Sequence, residues 1–131
     1  MLRSFVLVIL LPLVLVVNLI APAEPALAAN PVISKIQAEV EHLQELVDNQ
    51  EWVNVRSYIH GPMGMTRKEL ASLALGVTGE QQKQIQKANR QVLTSLEKID
   101  AAAEDFDAQR LRAAQNSLRD SLAALDALLG S

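Results

Sequence analysis

The stretch RSYIHGPMGMTR, residues 56–67, decides how this chain is to be folded. A Gly-Pro pair ordinarily breaks a helix, and a histidine followed by two methionines has the residue types of a metal site. Yet Trp52, Val55, Ile59, Met63, Thr66, Leu70 and Leu73 recur at spacings of three and four, and the phase passes Gly61-Pro62 without a slip. A loop would reset that phase. The spacing therefore predicts one helix from residue 51 to about 75, bent near Pro62, where proline lacks an N–H and crowds the carbonyl of Tyr58. An interior proline costs about 3 kcal/mol, which packing must offset. Two abutting shorter helices are the alternative. On the bent-helix reading, Pro62→Ala should straighten or stabilise the segment locally.

The flanking sequence has the same period. Asn30 is placed to cap a helix with Pro31 at its first position, and Ile33, Ile36, Val40, Leu43 and Val47 form its apolar stripe before a turn at Asp48-Asn49-Gln50. A third helix is expected from Thr78, with Gln81 completing a capping box and Ile85, Ala88, Val92, Leu96, Ile99 and Ala103 as its stripe. A fourth follows an Asp107 cap, buries Leu111, Ala114, Leu118, Leu122, Leu125 and Leu129, and ends at Gly130. No segment alternates with period two, so no strand is expected. Short connections between amphipathic helices predict an all-α, up-down-up-down four-helix bundle over residues 29–131.

The first 28 residues are of another kind. A basic start, Met1-Leu-Arg-Ser4, precedes an apolar run from Phe5 to about Ile20 and a Pro/Ala-rich segment in which Ala26-Leu27-Ala28 fits a small-x-small cleavage rule. This is the layout of a secretory signal peptide cut after Ala28 or Ala29; an uncleaved membrane anchor is the alternative. Either way the rest of the chain works across a membrane from the cytoplasm. The leader also inflates the mean hydropathy of +0.14.

Composition narrows the chemistry. Twelve Lys+Arg stand against 15 Asp+Glu, a net charge of −3, with no block of like charge to suggest nucleic-acid binding. There is no cysteine, so disulfides, thiolate metal sites, thiol catalysis, covalent haem and an acylated lipoprotein cysteine are all excluded. Aromatic residues are only 3%, which leaves an aliphatic, alanine-rich core. No nucleophile motif or phosphate loop is present.

Two weak metal candidates remain. Glu39-Val-Glu-His42 matches the Glu-x-x-His tetrad of di-iron bundles once, but Ser57 stands where a second copy would need a glutamate before His60. His60 with Met63 and Met65 could suit copper, although Met63 falls on the apolar stripe and fills core volume there. A free lumenal or periplasmic metal-binding bundle is the alternative function, resting on His42 and His60. No small-molecule substrate is indicated.

The segment from Glu51 to Arg67, with its Trp-x-x-x-Arg-x-x-Ile-His-Gly-Pro pattern, closely resembles the second-helix signature of the PsbQ family of photosystem II extrinsic proteins, in its cyanobacterial form. Leu96-Glu-Lys-Ile-Asp-Ala-Ala-Ala103 resembles the family's third-helix segment. The resemblance marks Trp52, Arg56, His60, Gly61, Pro62, Arg67 and Asp100 as family-marker residues. It implies a four-helix bundle on the lumenal face of photosystem II, peripheral to the thylakoid membrane and non-catalytic. Such a subunit stabilises the oxygen-evolving complex and retains calcium and chloride near the manganese cluster, with no cofactor of its own. Cyanobacterial members are commonly lipoproteins, and without a cysteine that anchoring does not carry over. Exposed arginines such as Arg56 and Arg67 are candidate docking contacts for acidic lumenal surfaces; the alternative is that they solvate the bundle.

Overall fold

Asn30 starts the first helix as its sequence predicts. Its side-chain oxygen accepts from the backbone N–H of Val32 at 2.9 Å and of Ile33 at 3.4 Å, and Pro31 opens α1, Pro31–Asp48. The computed structural model describes residues 30–130. The expected signal peptide and its cleavage point lie outside the described residues. Four further helices follow: α2, Trp52–His60; α3, Thr66–Ser72; α4, Gly79–Glu104; and α5, Ala108–Gly130. The described residues are all-helical, with no strand among them, and none of their helices is long and apolar enough to cross a membrane.

The expected single bent helix over 51–75 is corrected to two short ones. α2 ends at His60, and Gly61 takes φ −95°, ψ −92°, outside the helical well. Residues 61–65 then form a tight turn held by Met63 N–H to Tyr58 O at 3.1 Å, Gly64 N–H to Gly61 O at 2.9 Å and Thr66 N–H to Met63 O at 3.1 Å. The i→i−4 ladder stops because Pro62 brings no donor to it. The apolar phase nevertheless survives the break, since Met63, Thr66 and Leu70 are all buried. Phase continuity reported which side chains face the core. It could not report whether the backbone between them stayed helical.

Polar contacts fix how the limbs run. Lys35 reaches Glu69, and the His42 ring packs on Tyr58, so α1 is antiparallel to the α2–α3 limb. Arg56 meets Asp100 while Asn89 donates to Leu70 O at 2.9 Å, so α4 is antiparallel to that limb in turn. Gln81 donates to Leu128 O at 3.2 Å, joining the start of α4 to the end of α5. Five helices thus make four limbs. α1 packs on α2–α3 and on α5, as does α4, which leaves α1 and α4 diagonal across the bundle.

One core joins all limbs: Ile36 and Leu43 of α1, Val55 of α2, Leu70 of α3, Ile85, Val92 and Ile99 of α4, and Leu111, Leu118 and Leu125 of α5. Truncating any such side chain to alanine costs roughly 2–5 kcal/mol. The predicted stripes are the buried faces, except that Trp52, Ile59, Leu73 and Leu129 are half-buried at their margins. The expected capping box at Thr78 does not form: Thr78 makes no side-chain cap, Gly79 turns the chain at φ +68°, and Gln81 is drawn instead to a terminal carbonyl of α5. Asp107 does cap α5, accepting from Arg110 N–H at 3.0 Å.

Candidate functional site

Arg56 and His60 lie one helical turn apart on α2 and so project from one face. That face meets α4 at Asp100. A single carboxylate oxygen, Asp100 Oδ1, lies 3.1 Å from Arg56 Nε and 3.1 Å from His60 Nε2. Arg56 also reaches toward Glu104, one turn beyond Asp100 on α4, at 3.8 Å. The Asp100 side chain is 20% exposed, less than its partners at 40% and 65%. The hydrogen bond to Asp100 pushes the Arg56 pKa upward, opposed in part by burial and aided by the charges of Asp100 and Glu104.

This clasp needs the turn that follows it. A Cβ on Gly61 would stand 2.9 Å from Ser57 O, the same carbonyl that accepts the Gly61 N–H at 2.8 Å. A Cβ on Gly64 would stand 3.0 Å from Gly61 O and 3.1 Å from His60 O. Gly61 is therefore required by close backbone approach, and at Gly64 a larger residue would have to push those carbonyls back by a few tenths of an ångström. Together with Pro62 the two glycines end α2 where His60 faces Asp100 and restart α3 with Met63 in the core. Arg67, in the first turn of α3, lies 3.7 Å from Glu97 of α4, one turn below Asp100. Between the two ionic contacts a small cleft opens over Met63, Thr66 and Leu96. Trp52 packs at the edge of the core.

The marker residues predicted from sequence thus fall into one neighbourhood. Arg56, His60 and Asp100 are joined directly, Gly61 and Pro62 shape the turn beside them, and Arg67 sits one turn away. His42 does not belong to it. Its ring centroid lies 4.6 Å from that of Tyr58, its Nδ1 is 3.8 Å from Glu45, and Glu39 is turned away to Lys35. Burial raises the Tyr58 pKa. Lys35 bridges Glu39 at 2.7 Å and Glu69 at 2.9 Å, and these hydrogen bonds push its pKa up to about 12. Among the described residues no three His, Asp or Glu side chains converge as a metal donor set. His60 and Asp100 form a pair, but the carboxylate is shared with a guanidinium, and no hydroxyl hydrogen-bonds to His60 among the described residues. Chemically the arrangement joins two helices.

Sequence reasoning missed the buried polar residues. Asn89 ties the end of α3 to α4, Ser95 bonds back to Gln91 O, and Gln115 lies in the core at 2% exposure. A search for apolar periodicity passes over such positions.

Comparison with known proteins settles the lineage. The family model described as PsbQ, oxygen evolving enhancer protein 3, matches residues 17–131. The chain belongs to the PsbQ family. It is also 31% identical over 100 residues to CyanoQ of Synechocystis sp., a match spanning 76% of this chain and 65% of that protein. Every PsbQ-family marker residue identified in the sequence lies inside the matched region.

Proposed function

We propose that this protein is an extrinsic, non-catalytic subunit of photosystem II, held on the lumenal side of the thylakoid membrane. There it stabilises the oxygen-evolving complex and supports calcium and chloride retention near the manganese cluster. The observation that carries the reading is the family match across residues 17–131. The clasp of Arg56, His60 and Asp100 supports it, because it gives the family-marker residues a shared architectural purpose without a reactive constellation. Such a subunit acts by covering surface and limiting exchange with solvent. The leader serves export to the lumen, with cleavage after Ala28 or Ala29, and the absence of cysteine leaves attachment to protein contacts in place of a lipid. Purification of oxygen-evolving photosystem II particles tests this. The protein should co-purify with them and be released by a high-salt or alkaline wash; recovery only in fractions free of photosystem II would refute the reading. Sequencing the N-terminus of the recovered protein would test the cleavage point.

A further inference from the structure

Charge is divided across the bundle. α1 and the turn after it carry Glu39, Glu41, Glu45, Asp48 and Glu51 against one cation, Lys35. α4 as a whole is balanced, with four acids and four cations, but its charges are segregated: Glu80 stands at its start and Asp100 and Glu104 near its end, while Lys83, Lys87, Arg90 and Lys98 are interrupted only by Glu97, in a chain of net charge −3. Glu97 is already directed at Arg67. The cations of the marker region, Arg56 and Arg67, stand in ion pairs within the fold, as do Lys35, Arg110 and Arg119. Among the described residues none of the four cations on α4 does. The two arginines first suggested as docking contacts are therefore engaged in holding helices together, and the cations left over lie elsewhere.

Their placement is ordered. Steps of four, three and eight residues bring Lys83, Lys87, Arg90 and Lys98 within an arc of roughly 80° along about 22 Å of helix. All four are exposed. Lys83–Lys87 and Lys87–Arg90 are like-charge neighbours at i,i+4 and i,i+3, a repulsion that no ion pair among the described residues relieves. Because α1 and α4 are diagonal, this stripe and the acidic residues of α1 stand on limbs that are not neighbours. Alongside the stripe runs a groove between α4 and α5. Lys87, Arg90 and Lys98 line it with Ser117, Ser121 and Ala124, and Asp120 is its one carboxylate.

We propose that the α4–α5 groove is the docking surface for an acidic segment of a protein partner, laid along the bundle axis with its carboxylates opposite Lys83, Lys87, Arg90 and Lys98. Charge complementarity selects an acidic occupant. The groove selects a polypeptide: small side chains on its α5 side leave depth for a ridge of partner side chains, and Asp120 offers a contact to a segment of mixed charge while repelling a uniformly anionic lipid surface. The proposal rests on the photosystem II reading, the acidic segment being one exposed on that complex.

The test compares three forms of the protein: wild type, the reversal Lys83→Glu/Lys87→Glu/Arg90→Glu/Lys98→Glu, and a control reversal of two other unpaired cations, Lys68→Glu/Arg112→Glu. All these sites are exposed, and circular dichroism checks that helicity is kept. Binding is measured to photosystem II particles stripped of their extrinsic proteins, across a range of salt. The groove reversal should bind at least about tenfold more weakly, with a flatter salt dependence, while the control binds as wild type. Equal binding by wild type and the groove reversal overturns the groove and leaves the photosystem II reading intact. If wild type does not bind at all, the photosystem II reading fails, and the groove is judged by amide chemical shifts on adding poly-L-glutamate. Shifts confined to residues 83–98 and 117–124 support it; their absence overturns it. Tighter binding to phosphatidylglycerol vesicles than to either protein probe, or self-association of wild type abolished by the reversal, also overturns it.

Discussion

Replacing Gly61 with alanine is the sharpest test of why the second limb is broken. The added Cβ would stand 2.9 Å from Ser57 O, a backbone carbonyl that cannot rotate away. That carbonyl also receives the Gly61 N–H at 2.8 Å, so relieving the clash lengthens the bond that closes α2. Strain of this kind costs about 1–3 kcal/mol, against a gain of about 0.4–1 kcal/mol from a less flexible unfolded chain. The net expectation is a loss of roughly 1–2 kcal/mol, a fall in melting temperature of roughly 5–15 °C for a domain of this size. Gly76→Ala is the matched control. A Cβ added there would meet no atom within 4 Å, and its φ is not positive, so only the unfolded-state gain of about 0.4–1 kcal/mol should remain. Thermal and urea unfolding of both variants, followed by circular dichroism, measures the difference. If Gly61→Ala is as stable as Gly76→Ala, the close-approach argument for the turn is wrong.

Three further outcomes follow from particular side chains. Gln115 is 2% exposed and neither of its amide atoms has a hydrogen-bond partner, so Gln115→Met, which keeps the volume, should stabilise the bundle by roughly 1–2 kcal/mol in urea unfolding. Phe106 follows the end of α4 at φ +53° and is 67% exposed, and Phe106→Gly should add about 0.5–1 kcal/mol by relieving the left-handed conformation. Lys35 is held above its ordinary value by Glu39 and Glu69, so its contribution is whole below pH 10.5 and is lost as pH rises to about 12. Lys35→Met should flatten the dependence of the urea midpoint on pH within that window and leave its slope at lower pH unchanged.

The stripes of α1, α4 and α5 were legible because apolar periodicity is a local signal, and the Asn30 and Asp107 caps because each needs only a side chain two or three residues from its target. The break at Gly61 was not. The turn over 61–65 returns Met63 and Thr66 to the same side that a continuous helix would, so side-chain phase cannot tell the two apart. Conformation there depends on a backbone carbonyl approaching a missing Cβ, which no spacing rule records. The clasp was legible only as a set of marked residues, since His60 and Asp100 are far apart in the chain and pairing them requires knowing which helices adjoin. Thr78 shows the opposite failure: a correct local pattern lost because Gln81 found a partner on α5, 47 residues away.

Oxygen evolution by photosystem II particles depleted of their extrinsic proteins, assayed at limiting calcium and chloride with and without this protein added back, tests the central claim most directly. Addition should give saturable binding and a higher sustained rate that collapses toward the rate without protein when calcium and chloride are supplied in excess. Binding without any change in rate at limiting ions, or no binding at all, would contradict the account.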